Sequence, residues 1–156
     1  MPTGNPPHKQ CKTDSHHRLE MLKQAIENCD TNKSILVDSF EIDRSGKTYF
    51  VDNLKHILEK YSFDEIAVLV CADHAQTISR WKNFEFIAQN VKLAIASRNN
   101  IHYDKSLFSY ELDSSNFDVS STQLRKLLQD NKYDSDYVKL WLPVPVTNYI
   151  INNNLY

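Results

Sequence analysis

Ile66-Ala67-Val68-Leu69-Val70-Cys71-Ala72 is an uncharged run closed off by Asp64-Glu65 before it and Asp73 after it. It is short for a helix and rich in β-branched residues. That pattern predicts a strand of a parallel sheet, covered on both faces. Downstream, residues 75–89 read as a helical stretch broken near Lys82-Asn83, and Val91 to Ser97 as the next strand. Leu107 to Leu112 reads as a shorter strand. Upstream, Val51, Leu54, Leu58 and Tyr61 fall at helical spacing within residues 48–61, and residues 34–42 read as a strand. A first helix is expected from Ser15, as N-cap, with Leu19, Leu22, Ala25, Ile26 and Cys29 on one face. Ser120 caps a helix over residues 120–129 that turns Leu124, Leu127 and Leu128 inward, and a last helix follows Pro145. Residues 1–14, with three prolines and a glycine, read as loop. The alternation predicts an α/β fold, a Rossmann-like doubly wound parallel sheet, in a single domain over residues 1–156.

The 156-residue composition, 41% hydrophobic and 24% charged, is that of an ordinary globular domain. A net charge of −2 offers no electrostatic case for nucleic acid or an anionic membrane. No apolar run approaches the roughly 20 residues that span a bilayer, and the N-terminus lacks the apolar core of a secretory signal. Three cysteines, Cys11, Cys29 and Cys71, are an odd number without metal-knuckle spacing. They predict buried free thiols and a cytoplasmic setting. Glycine occurs only at Gly4 and Gly46, too few to write a dinucleotide fingerprint or a P-loop. A nucleotide, if bound, must be held by other means.

In open α/β sheets ligands bind beyond the carboxyl ends of the strands. The segments found there are Arg44 to Tyr49, Asp73 with Trp81 after it, Arg98, and Val119-Ser120-Ser121-Thr122-Gln123-Leu124-Arg125. Each has a plainer reading: Arg44 and Arg98 as solvated charges, Trp81 as core, Asp73 as a helix cap, the hydroxyl cluster as an N-cap. Taken together they suit a nucleotide. A helix N-terminus with three hydroxyls and an arginine one turn on can cradle a polyphosphate. An aromatic ring at the mouth of the crevice can stack on a base or pyridine. His8, Lys9 and Arg44 would add positive charge.

The order of these segments resembles one family. Pro2-Thr-Gly-Asn-Pro-Pro-His8-Lys9, Arg44-Ser-Gly-Lys-Thr-Tyr49 with Asp52-Asn-Leu54, Cys71-Ala-Asp73 with Trp81-Lys, Val119-Ser-Ser-Thr-Gln-Leu-Arg125 and Leu142-Pro-Val-Pro-Val resemble, in sequence order, the bacterial nicotinate mononucleotide adenylyltransferases. The resemblance implies transfer of AMP from ATP to nicotinate mononucleotide, giving deamido-NAD and pyrophosphate, with magnesium accompanying the ATP. It implies that Asp73, Ser120, Ser121, Thr122 and Arg125 serve ATP, and that His8, Lys9, Arg44, Tyr49, Trp81 and Arg98 serve nicotinate mononucleotide.

The chain departs from that family's pattern in one large respect. The catalytic Thr/His-x-Gly-His turn is absent: Gly4 precedes Asn5 and Gly46 precedes Lys47. No catalytic residue can therefore be carried over. The expectation is that a strand-turn-helix-strand portion of roughly 30–40 residues is missing, through a start placed at an internal methionine or a lost 5′ end. Impaired catalysis and self-association through an exposed sheet edge follow as expectations. A non-catalytic nucleotide-binding remnant or a partner-binding fragment is the alternative. Phe50 stands where the family has threonine and Cys71 where it has glycine, which bears on nicotinate against nicotinamide preference and on the approach of ATP.

Overall fold

The structure, a computed structural model, describes residue 4 and residues 12–97, 102–114, 117 and 119–156. Two compact units emerge, one from the described residues of Tyr49–Asp118 and one from those of Met1–Thr48 and Val119–Tyr156.

The first unit holds the sheet. Helix α3 (Phe50–Lys60) is followed by β1 (Ala67–Cys71), α4 (Ala72–Ala75), a 3-10 turn (Ile78–Arg80), α5 (Phe84–Asn90), β2 (Lys92–Ser97) and β3 (Tyr110–Asp113). The strands are all parallel, in the order β1-β2-β3, with Leu69 opposite Ala94 and Ala94 opposite Tyr110. The α/β class and the parallel sheet are thus as the sequence predicts, and so is the break before α5. Asn83 produces that break by adopting a left-handed conformation (φ 55°), which asparagine tolerates better than most residues. Val70 and Leu93 from the sheet pack with Val51 and Leu54 of α3, Ile78, and Ile87 of α5; Ile78 and Ile87 are fully buried.

Coverage of both sheet faces is not borne out. Side chains alternate across a strand, so Leu69 shares its face with Ala94 and Tyr110, and Cys71 with Ala96 and Leu112. Leu69 is 59% exposed and Leu112 52%. The alternation apolar-in, apolar-out is invisible to a reading that counts only apolar residues. Cys71 and Cys29 are free but exposed, against the expectation of buried thiols; Cys71 lies on that open face, and Cys29 closes the last turn of a half-buried helix. Cys11 lies outside the described residues.

The second unit is helical: α1 (Ser15–Cys29), α2 (Phe40–Asp43), α6 (Ser121–Gln129), α7 (Asp136–Trp141) and α8 (Val144–Asn152). Leu128, Val138, Val146 and Ile150 form its core, with Met21 and Ala25 of α1 against them. The N-cap of α1 is Asp14, whose carboxylate accepts the His16 N–H at 2.8 Å, and not Ser15. Residues 34–42 do not form the expected strand. The Asp30 carboxylate instead accepts from the Ile35 N–H and the Ser34 hydroxyl. Asp38 accepts the Phe40 N–H at 2.9 Å and the Ser39 hydroxyl donates to Asp43 at 2.6 Å, which starts α2. Such local side-chain bonds compete with strand formation, and no strand among the described residues pairs with this segment. Helix α7 was not legible in the sequence pattern. Ser120 caps α6 and Pro145 lies in the first turn of α8, both as expected.

Candidate functional site

The candidate residues divide between the units. Arg44, Ser120, Ser121, Thr122 and Arg125 belong to the helical unit; Tyr49, Asp73 and Trp81 belong to the sheet unit. His8, Lys9 and Arg98 lie outside the described residues.

In the helical unit the N-terminus of α6 is built from short-range bonds. The Ser120 hydroxyl accepts the Gln123 N–H at 3.3 Å, and the first intrahelical bond runs from the Leu124 N–H to the Ser120 carbonyl at 2.9 Å. The amides of Ser121 and Thr122 precede that bond, and both side chains are exposed. Tyr137 of α7 supports the turn from behind: its hydroxyl accepts the Ser120 N–H at 2.8 Å. Arg125 follows one turn on and is exposed. Helix α6 has nine residues, and its first turn carries exposed hydroxyl side chains with an exposed arginine one turn on; a helix N-terminus of this kind can receive an anion.

Arg44 ends α2. Its guanidinium stands 5.5 Å from the centroid of the Phe40 ring, and Nη1 is buried. A nearby carboxylate fixes this segment. Glu41 is buried, and its Oε1 accepts the Thr48 hydroxyl at 2.8 Å and the Gly4 N–H at 3.0 Å. Gly46, between them, has φ 85° and needs glycine's freedom.

In the sheet unit, β1 runs straight into α4, which places Asp73 and His74, both exposed, just beyond the strand's carboxyl end. Trp81 ends the 3-10 turn in an extended conformation and is half-buried. Its ring lies 5.4 Å from that of Phe50 and 6.4 Å, edge-on, from that of His74. Next to it, Lys82 Nζ sits 4.2 Å from the Tyr49 ring centroid. The structure thus gathers Tyr49 and Trp81, which the sequence singled out, with Phe50, His74 and Lys82 around them. Tyr137 and Glu41 carry no recognisable signal in the sequence, and although Lys82 belongs to the quoted Trp81-Lys pair, its contact with Tyr49 is not legible there, since each acts through a contact distant in sequence.

The cytidylyltransferase-like family pattern matches residues 1–127, which puts the chain among the nucleotidyltransferases. Within that class the chain belongs to the nicotinate-nucleotide adenylyltransferases. The nicotinate-nucleotide adenylyltransferase of Bacillus subtilis (strain 168) is 30% identical over 158 residues, covering 100% of this chain and 80% of that protein. The protein from Borrelia garinii subsp. bavariensis, named probable nicotinate-nucleotide adenylyltransferase, is 33% identical over 159 residues, 100% of this chain and 77% of its own length. Among solved structures, Plasmodium falciparum nicotinic acid mononucleotide adenylyltransferase complexed with NaAD superposes with a TM-score of 0.68 at 25% identity, covering 97% of this chain and 78% of that one. The same protein complexed with APC gives 0.58 at 25% identity over 90% and 75%. No helix among the described residues is long and apolar enough to cross a membrane.

Proposed function

We propose that this chain binds ATP and nicotinate mononucleotide and is built for adenylyl transfer between them. The observation that supports the reading is the N-terminus of α6, where Ser120 caps the helix, Ser121 and Thr122 open it with exposed side chains and Arg125 follows one turn on, a set that would cradle a phosphate. Hydroxyls and the first-turn amides would donate hydrogen bonds to the polyphosphate's oxygens, and Arg125 would supply countercharge. Asp73 would serve the ATP ribose. Trp81 and Tyr49 would take the pyridine ring, and Arg44, with His8, Lys9 and Arg98, the acceptor's phosphate.

In the transfer, a phosphate oxygen of nicotinate mononucleotide forms a bond to the α-phosphorus of ATP. The bond from that phosphorus to the bridging oxygen breaks, and pyrophosphate leaves. Such chemistry needs alignment and charge stabilisation more than a protein nucleophile. Magnesium would arrive with ATP, neutralising phosphate charge. Among the described residues no three His, Cys, Asp or Glu side chains gather into a group that could hold a metal ion.

These 156 residues contain no Gly-His turn, the element that by the family resemblance would meet the transferring phosphoryl group. Loss of each comparable donor slows a reaction by about 10²–10³. The chain is therefore expected to bind both nucleotides and to turn over slowly. Isothermal titration with each nucleotide, together with pyrophosphate release, tests this. Turnover equal to that of the Bacillus subtilis relative would overturn the expected impairment. Failure to bind either nucleotide would overturn the assignment and favour a partner-binding role, for which the open sheet face is the supporting observation.

A further inference from the structure

The helical unit holds a cavity of about 400 Å³ between α1, α6 and α8. Its floor is the unit's own core: Leu128, Val146 and Ile150, all buried. Met21 and Ala25 of α1 and Leu124 of α6, half-buried, form its walls. A volume of this size lies in the range of small-molecule pockets, about 300–1,000 Å³. A stable protein contact, by contrast, buries about 800 Å² on each partner. The dimensions suit a small ligand.

Side-chain charge in the lining is confined to one residue. Arg125 stands with Ser121 at the rim, both exposed, and no acidic side chain lines the cavity. No carboxylate among the described residues forms an ion pair with the Arg125 guanidinium. An arginine is always charged, and its planar fork of donors matches a carboxylate. An apolar recess with one uncompensated guanidinium at its edge therefore complements a molecule with an apolar body and a single anionic end. A cationic or neutral amphiphile would leave the guanidinium unanswered, and a bare polyphosphate offers the apolar walls nothing.

We propose that this recess binds an amphipathic monocarboxylate, its tail against Met21, Leu124 and Val146 and its carboxylate on Arg125, and that such a ligand excludes ATP by taking the same guanidinium. The exclusion rests on the reading that Arg125 meets an ATP phosphate; the carboxylate site does not. Tail length sets the affinity, since each buried methylene strengthens binding about fourfold until the recess is full. The site gives the helical unit a regulatory input to ATP binding.

The test is isothermal titration of the full 156-residue chain with butanoate, hexanoate and octanoate, and with octylammonium as the same tail carrying the opposite charge. Affinity is expected to rise along the carboxylate series and to be roughly tenfold weaker for octylammonium than for octanoate. Arg125→Ala is expected to weaken octanoate roughly tenfold. Arg125→Lys, which keeps the charge but not the fork, is expected to weaken it less. Ala25→Phe, which fills the recess, is expected to weaken octanoate as well. Circular dichroism melting checks that each variant is folded, and the tail-length series needs no variant. Equal affinity for octanoate and octylammonium, no rise with tail length, or an unchanged octanoate affinity in Arg125→Ala overturns the site. Displacement of octanoate by adenosine also overturns it, by making the recess a base pocket. Conversion of a dimer to monomer by octanoate in sedimentation does the same, by making it a contact between copies. Octanoate affinity that saturating ATP leaves unchanged overturns the exclusion alone. A chain that binds octanoate through Arg125 but binds no ATP refutes the phosphate reading and the exclusion with it, and leaves the carboxylate site standing.

Discussion

The Gly4 N–H and the Thr48 hydroxyl converge on one oxygen of the buried Glu41 side chain, at 3.0 and 2.8 Å. A Cβ built on Gly4 would stand 2.0 Å from the Glu41 carbonyl oxygen, far inside any real contact. Gly4→Ala should therefore force the two segments apart, at about 1–3 kcal/mol. Thr48→Val removes a donor at nearly constant volume and leaves a buried carboxylate short of a partner, at about 1–3 kcal/mol. Thermal melts check both, with about 2–4 °C lost per kcal/mol for a chain of this size. An unchanged Tm in Gly4→Ala would show that Gly4 does not approach Glu41 in solution.

The open sheet face gives a second expectation. Leu69 and Leu112 are more than half exposed, with Tyr110 46% exposed on the same face and β1 an edge of the sheet formed among the described residues. Such a surface invites self-association. Leu69→Lys with Leu112→Glu should move the sedimentation coefficient toward that of a monomer at high protein concentration. Stability should shift by no more than about 0.5 kcal/mol, as for other exposed positions. A parent chain that is monomeric at every concentration would refute the self-association.

A third concerns alkaline pH. Tyr103 donates its hydroxyl to Glu111 at 2.6 Å, and Tyr110 donates to Glu65 at 2.9 Å. Each bond to a carboxylate favours the neutral phenol and holds that phenol above the usual tyrosine range. With a folded pKa above the unfolded value of about 10, each contribution is complete below about pH 10. It is lost as pH rises through the folded pKa. Tyr103→Phe and Tyr110→Phe should each delete one late component from the tyrosinate absorbance titration. Deletion of an ordinary component would argue against the bonds.

What was legible in the sequence was what short-range chemistry decides. Ser120 could be read as a cap because its bond partner, the Gln123 N–H, lies three residues on. The break before α5 could be read because Asn83 itself takes the strained conformation. Residues 34–42 misled because apolar content resembles a strand, whereas a strand exists only where another can pair with it. The bonds from Asp30, Asp38 and Ser39 settled that segment otherwise. Exposure of Leu69 was equally hidden, since it depends on what covers the face and not on the residue. Of the candidate site, Trp81, Tyr49 and the α6 cluster were named from order and resemblance. The contacts of Lys82 and Tyr137 became visible only when Tyr49 and Ser120 were seen beside them.

The terminus of α6 allows holding and binding to be separated. Ser120 is both N-cap and, through its N–H, the partner of Tyr137. Ser120→Ala should cost about 1 kcal/mol through loss of the cap. Tyr137→Phe should cost about 0.5–1.5 kcal/mol by freeing the Ser120 N–H. Both would weaken ATP only indirectly, by letting the first turn fray. Arg125 is exposed and contributes no cap, so Arg125→Ala should leave the melting temperature within error. It should nonetheless lower ATP affinity roughly tenfold, the effect of removing one charge-assisted contact. Calorimetric titration with ATP, paired with thermal melts on the same three variants, distinguishes these outcomes. A stability loss without an affinity loss in Arg125→Ala would make Arg125 a packing residue and move the phosphate site elsewhere. An affinity loss at constant stability would identify the guanidinium as part of the cradle.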